Sequence, residues 1–112
     1  MTKKINSRNG DDKTIKGLSQ VFKGMKERMK NPKNDFLKTA ELFKESLYEA
    51  YIIDDINLNN KVIVAYREIT EVLQNKIHQC KSEEERKKIY RFLFELDAIM
   101  VTFYDQAGKH YN

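Results

Sequence analysis

The chain has 112 residues, of which 40% are hydrophobic and 34% are charged, and it contains one proline, four glycines and one cysteine. This length fits a single domain, the scarcity of proline and glycine favours long helices, and a lone cysteine excludes an internal disulfide. No apolar run approaches the roughly 20 residues of a membrane span, and the N-terminus lacks the apolar stretch of a signal peptide, so we expect a cytoplasmic protein.

The net charge of +4 is unevenly distributed. Residues 1–34 carry ten Lys and Arg against three acidic residues, a net of +7, whereas residues 35–112 carry eleven against fourteen, a net of −3. Residues 1–13 contain only Met1 and Ile5 as large apolar side chains, which predicts a disordered basic arm ahead of a bundle domain at 14–112. The abundant lysine, asparagine and isoleucine suit a bacterial or phage origin.

A first helix is predicted from Thr14 by apolar residues at helical spacing. Its apolar face comprises Ile15, Leu18, Val21, Phe22, Met25 and Met29. Gly17 and Gly24 each weaken the helix by about 1 kcal/mol relative to alanine, so it should depend on docking against the other helices. Pro32 then breaks the chain.

Second and third helices are predicted at Phe36–Ile53 and Asn60–Gln79, with a mostly polar connection at 54–60 between them. Asn34 or Asp35 should cap the second helix. Its predicted buried stripe comprises Phe36, Ala40, Phe43, Leu47, Ala50 and Tyr51, and Tyr48 lies off the centre of that stripe. The third helix has a near-heptad seam, comprising Val62, Tyr66, Ile69, Leu73, Lys76 and Cys80. The short link at 81–82 predicts that it forms an antiparallel pair with the next helix.

The fourth helix contains the most apolar stretch of the chain, IYRFLFELDAIMVTF at 89–103. Ser82 and Glu85 form a capping box at its start, and Gly108 should end it. One apolar stripe comprises Ile89, Leu93, Leu96, Met100 and Phe103; a second beside it comprises Tyr90, Phe94, Asp97, Val101 and Tyr104. So wide an apolar arc predicts the central helix of the bundle.

Few residues suggest catalysis or metal binding. His78 and His110 are far apart in sequence, and His78 and Cys80 do not have the spacing of a metal site on a helix. Glu41, Glu45 and Glu49 share one helix face but lack the Glu-x-x-His pairs of a di-iron bundle. We therefore expect no enzyme activity, no metal site and no cofactor.

Twelve aromatic residues exceed what one small core accommodates neatly, and aromatic side chains are enriched at protein interfaces. The favoured interpretation is an all-α, antiparallel (up-down) four-helix bundle that binds a protein partner or a second copy of itself as a regulator, adaptor or immunity-type inhibitor. The expected interface residues are Tyr48, Tyr51, Tyr90, Phe94, Asp97, Val101 and Tyr104. Asp97 would make a specific polar contact there, or would be hydrogen-bonded at the edge of the core.

The alternative is a nucleic-acid-binding protein that uses the basic segment 1–34 to neutralise phosphates. The residues expected to do so are Lys3, Lys4, Arg8, Lys13, Lys16, Lys23, Lys26, Arg28 and Lys30. The same segment could also form a membrane-surface helix or serve only to keep the protein soluble.

Overall fold

The computed structural model describes the backbone of residues 12–111 and the side chains of residues 12–106 and 108. This part of the chain forms four helices and no strand: α1 (Asp12–Lys30), α2 (Phe36–Ile53), α3 (Ile56–Gln79) and α4 (Glu83–Tyr111). The predicted all-α class is therefore confirmed. Most of the predicted arm, residues 1–11, lies outside the described residues, and α1 begins at Asp12, two residues before the predicted start.

Two predicted helix caps are present. Asp35 caps α2 by accepting a hydrogen bond from the backbone N–H of Lys38 at 3.2 Å. The hydroxyl of Ser82 accepts the N–H of Glu85 at 3.3 Å, which is the first half of the predicted capping box. Each cap satisfies a backbone donor that would otherwise lack a partner in the first turn.

The predicted connection at 54–60 is wrong, since only Asp54 and Asp55 separate α2 from α3. Asp54 adopts the left-handed conformation, with φ of 55°, and its N–H donates to the carbonyl of Ala50 at 3.0 Å. Asp55 caps α3 by accepting the N–H of Leu58 at 2.9 Å. Aspartate suits both positions. Leu58 is fully buried, so packing overrides the low helix propensity of the surrounding asparagines.

The predicted end of α4 at Gly108 is also wrong, because the helix continues to Tyr111. Glycine favours a helix end but does not require one. No proline follows Gly108 that would stop the helix.

One core holds the four helices together. It includes four residues of the predicted face of α1, namely Leu18, Phe22, Met25 and Met29. The ring of Phe22 packs edge-to-face against Phe43 of α2 at 6.0 Å, and Phe43 in turn contacts Phe92 of α4 at 6.4 Å. α1 is therefore docked, as its spacing of apolar residues suggested.

The prediction that α4 is the central helix is wrong. α2 and α3 each pack against all three other helices, whereas α4 packs on α3 and α2 and hardly touches α1. The ring of Phe36 contacts Phe92, and the ring of Tyr51 contacts Phe103, so α2 and α4 run in the same direction. α4 thus lies at one side of the core with one long face uncovered. The up-down bundle arrangement as a whole stays a prediction.

Candidate protein-interaction surface

The uncovered face of α4 carries an apolar stripe that we call the outer stripe. It comprises Tyr90, Phe94, Asp97, Val101 and Tyr104, spaced alternately by four and three residues, and all five are exposed. Phe94 is the most exposed large hydrophobic residue of the described chain, at 79%. Residues at this spacing lie above one another along a helix, so the side chains form one continuous strip.

The core-facing side of the same helix comprises Ile89, Phe92, Leu96, Met100 and Phe103, all buried. Sequence analysis placed Leu93 there in place of Phe92, but Leu93 is only partly buried. Successive residues are 100° apart on a helix, and Leu93 points toward the α3 side of this arc while Phe92 points toward α2. The partition between the inner and outer stripes is otherwise as predicted.

Asp97 lies in the middle of the outer stripe and has a specific partner. Its Oδ1 accepts a hydrogen bond of 2.7 Å from the Tyr66 hydroxyl of α3. This hydrogen bond, together with partial burial and the nearby carboxylate charge, raises the pKa of Tyr66 above its ordinary value. Asp97 is exposed, so the contact fixes its carboxylate at the α3 edge of the stripe at little desolvation cost.

Tyr48 and Tyr51 lie apart from Asp97. They line a groove of about 430 Å³ between α2 and α4, together with Ala98, Ile99 and Thr102. This groove is on the opposite side of α4 from the Tyr66 contact. The structure therefore divides the seven predicted interface residues between two sides of α4, and the exposed Ala98 lies between them.

Polar contacts fix the geometry of this groove. Lys44 Nζ is 3.2 Å from Glu95 Oε1 of α4 and 3.4 Å from Glu41 Oε2 of its own helix. The hydrogen bond to Glu95 raises the pKa of Lys44. At the far end, Gln106 Nε2 donates to the backbone carbonyl of Tyr51 at 3.2 Å. Tyr51, predicted to be buried, is half-exposed because only one side of its ring packs on Phe103.

Other exposed hydrophobic residues were missed by sequence reasoning or not assigned to a surface. They are Leu37, Ile52, Ile56 and Val64. They lie off the predicted buried stripes, and that was the only sequence signal available for them. Val64 is 53% exposed in a groove between α1 and α3, far from the outer stripe.

The basic residues of α1 are on the surface. Lys13, Lys16, Lys23, Arg28 and Lys30 are exposed and Lys26 is half-buried, whereas Lys3, Lys4 and Arg8 lie outside the described residues.

Three of these lysines recur every seven residues, at positions 16, 23 and 30, and therefore follow one line along the helix. Lys23 shares a groove with Lys61 and Glu68 of α3, and Lys30 shares another with Lys76.

The residues considered for metal binding do not come together. Among the described side chains, no three His, Cys, Asp or Glu residues are close enough to hold a metal ion. His78 is exposed near the end of α3, Cys80 caps that helix with its backbone N–H, and the side chain of His110 lies outside the described part. Within the same residues, no helix has the length and hydropathy of a membrane span.

Comparison with known proteins found no matching family model, no similar curated sequence and no similar solved structure.

Proposed function

We propose that this protein is a non-enzymatic, cytoplasmic interaction module, a regulator, adaptor or immunity-type inhibitor on an up-down helical bundle. It would bind another protein chain through the exposed face of α4. The observation that carries the proposal is the outer stripe itself. Three aromatic side chains and one valine lie in line on a single regular helix, where a monomer gains little from them.

Physical reasons favour binding over an incidental cluster. Isolated exposed hydrophobic residues are common on protein surfaces and need no explanation, but a contiguous strip is not. Tyrosine and phenylalanine bury a large area with few rotatable bonds, which makes them effective at interfaces. α4 is also well anchored by its inner stripe, so the outer stripe is held in a fixed geometry before any partner binds.

The experiment is affinity capture from the native host with three baits: the wild-type chain, Phe94→Glu and Val64→Glu. Both substitutions place a charge at an exposed apolar helix position, but Val64 lies in the groove between α1 and α3. We expect the wild type and Val64→Glu to retain the same protein and Phe94→Glu to lose it, with all three showing the same helical circular dichroism. Equal retention by Phe94→Glu would refute the proposal.

Nucleic-acid binding is the second candidate, and the line of lysines on α1 favours it. Lys16, Lys23 and Lys30 lie along one side of the helix, and Lys61 and Lys76 of α3 face the same two grooves. Glu68 offsets part of this charge in the first groove. An apolar helix surface contributes nothing to phosphate binding, so this function would use a surface separate from the outer stripe.

The salt dependence of a gel-shift distinguishes this candidate. Binding to phosphates releases counterions, so affinity should fall steeply between low and moderate salt. Lys23→Gln with Lys30→Gln should flatten that dependence by roughly two phosphate contacts, whereas Phe94→Glu should leave it unchanged. Binding that ignores salt, or that requires Phe94 and not the lysines, would exclude the lysine line as the contact.

A further inference from the structure

The exposed face of α4 is charged with opposite signs at its two ends. Lys87 and Arg91 precede the middle of the outer stripe, and Asp105 follows it; all three are exposed. The glutamates at 83–85 belong to the first turn of the helix, where negative charge stabilises the helix dipole. α4 therefore presents a basic half and an acidic half on either side of an apolar strip.

The charges are placed symmetrically about Ala98. Arg91 lies seven residues before Ala98 and Asp105 lies seven residues after it, so the three side chains follow one line beside the outer stripe. A second α4, laid antiparallel with its Ala98 on this Ala98, places its Asp105 beside Arg91 and its Arg91 beside Asp105. A parallel pairing would set like charges against one another.

The apolar residues fit the same arrangement. In the antiparallel pairing, Tyr90 and Phe94 of one copy lie over Val101 and Tyr104 of the other. The spacing of four and three residues along the stripe is that of a coiled-coil seam, which allows side chains of two helices to interdigitate. The glutamates at 83–85 fall beyond the end of the opposing helix and do not oppose its acidic half.

The area is sufficient for a specific contact. If each aromatic side chain offers roughly 200 Å², the exposed fractions of the four apolar residues amount to roughly 500 Å² per copy. Two copies together then bury about 1,000 Å² before the flanking charged residues are counted, which is the lower limit for a specific interface. Such a contact corresponds to a reversible dimer.

We propose that the partner of the outer stripe is a second copy of this chain, bound antiparallel across α4 with Arg91 and Asp105 paired between copies. This inference rests on the proposed function, because it names the occupant of the same surface. One feature opposes the dimer: the two Asp97 carboxylates approach each other near the two-fold axis. The Tyr66 hydroxyl holds each of them toward α3, which limits the repulsion.

The test is sedimentation equilibrium of the full chain over a wide concentration range. Wild type should dimerise reversibly, and Phe94→Glu and the milder Phe94→Ser should each raise the dissociation constant at least about 30-fold. The matched control Val64→Glu should not change it. Circular dichroism of every variant separates a lost dimer from a lost fold.

Charge reversal tests the antiparallel pairing. Arg91→Glu and Asp105→Arg should each weaken the dimer by about 2- to 5-fold, as is typical of exposed ion pairs. The double variant should regain wild-type affinity because the pair is restored with its signs exchanged. Asp97→Asn, which keeps an acceptor for Tyr66, should strengthen the dimer.

Three results would overturn the inference: a wild-type chain that stays monomeric throughout, a dimer unaffected by either substitution of Phe94, or a double variant weaker than either single one. A monomeric wild type whose capture of another protein still requires Phe94 would leave the proposed function intact. Loss of both self-association and Phe94-dependent capture would refute the two together.

Discussion

Two neighbouring phenylalanines of α4 provide a sharp test of the division between its faces. Phe92 is buried, with edge-to-face contacts to Phe36 at 5.8 Å and Phe43 at 6.4 Å, whereas Phe94 is 79% exposed. Replacing Phe92 by alanine removes a core ring and leaves a cavity, which costs about 3–5 kcal/mol. That is a large part of the roughly 5–15 kcal/mol that stabilises a domain of this size.

The same change at Phe94 should cost far less. Only about a fifth of the side chain is buried, or about 40 Å², which corresponds to about 1 kcal/mol at 25 cal/mol per Å². The higher helix propensity of alanine offsets about half of this, so we expect a net loss near 0.5 kcal/mol.

The measurement is urea unfolding followed by far-ultraviolet circular dichroism, at protein concentrations low enough to keep the chain monomeric. The two variants should differ in free energy of unfolding by at least about 2 kcal/mol. If they lie within about 1 kcal/mol of each other, the outer stripe is part of the core and the case for an interaction surface fails.

Three further predictions concern local interactions. Gly24→Ala should raise the free energy of unfolding by about 0.5–1 kcal/mol, because the site is helical and an added Cβ meets nothing within 4 Å; thermal unfolding would measure this, and a loss would contradict it. Asp35→Ala should cost about 1 kcal/mol in urea unfolding by removing the cap of α2, and Asp35→Asn should retain most of it. Tyr66→Phe should cost about 0.5–1.5 kcal/mol near neutral pH, where the hydroxyl donates to Asp97. Since the pKa of Tyr66 is raised from 10.0, its contribution is present below that pH and disappears as the pH rises through the folded-state pKa. The wild type should therefore converge on Tyr66→Phe in alkaline urea titrations, and a constant gap between them would contradict the assignment.

Helical periodicity allowed the inner and outer faces of α4 to be predicted because the apolar residues there follow two regular spacings. The same is true of α1, where four residues of the predicted face are buried. Helix starts were predictable where a side chain caps the backbone, as Asp35 and Ser82 do.

Features that depend on packing could not be read from the chain. The segment after Asp55 is rich in asparagine and resembles a loop, but Leu58 and Asn59 are buried there and hold it in a helix. A wide apolar arc on α4 suggested a central position, although the same arc results when one half faces the core and the other faces outward. Sequence spacing also could not reveal that Tyr48 and Tyr51 lie on the other side of α4 from Asp97.

The central claim is that α4 meets another protein chain through its outer stripe. Hydroxyl-radical footprinting of the wild-type chain, dilute and concentrated or bound to its captured partner, tests this most directly. In the associated state, Tyr90, Phe94 and Tyr104 should become protected from oxidation while Val64 stays as reactive as in the dilute protein. Protection that appears at Val64 with the α4 aromatics unchanged would contradict the claim.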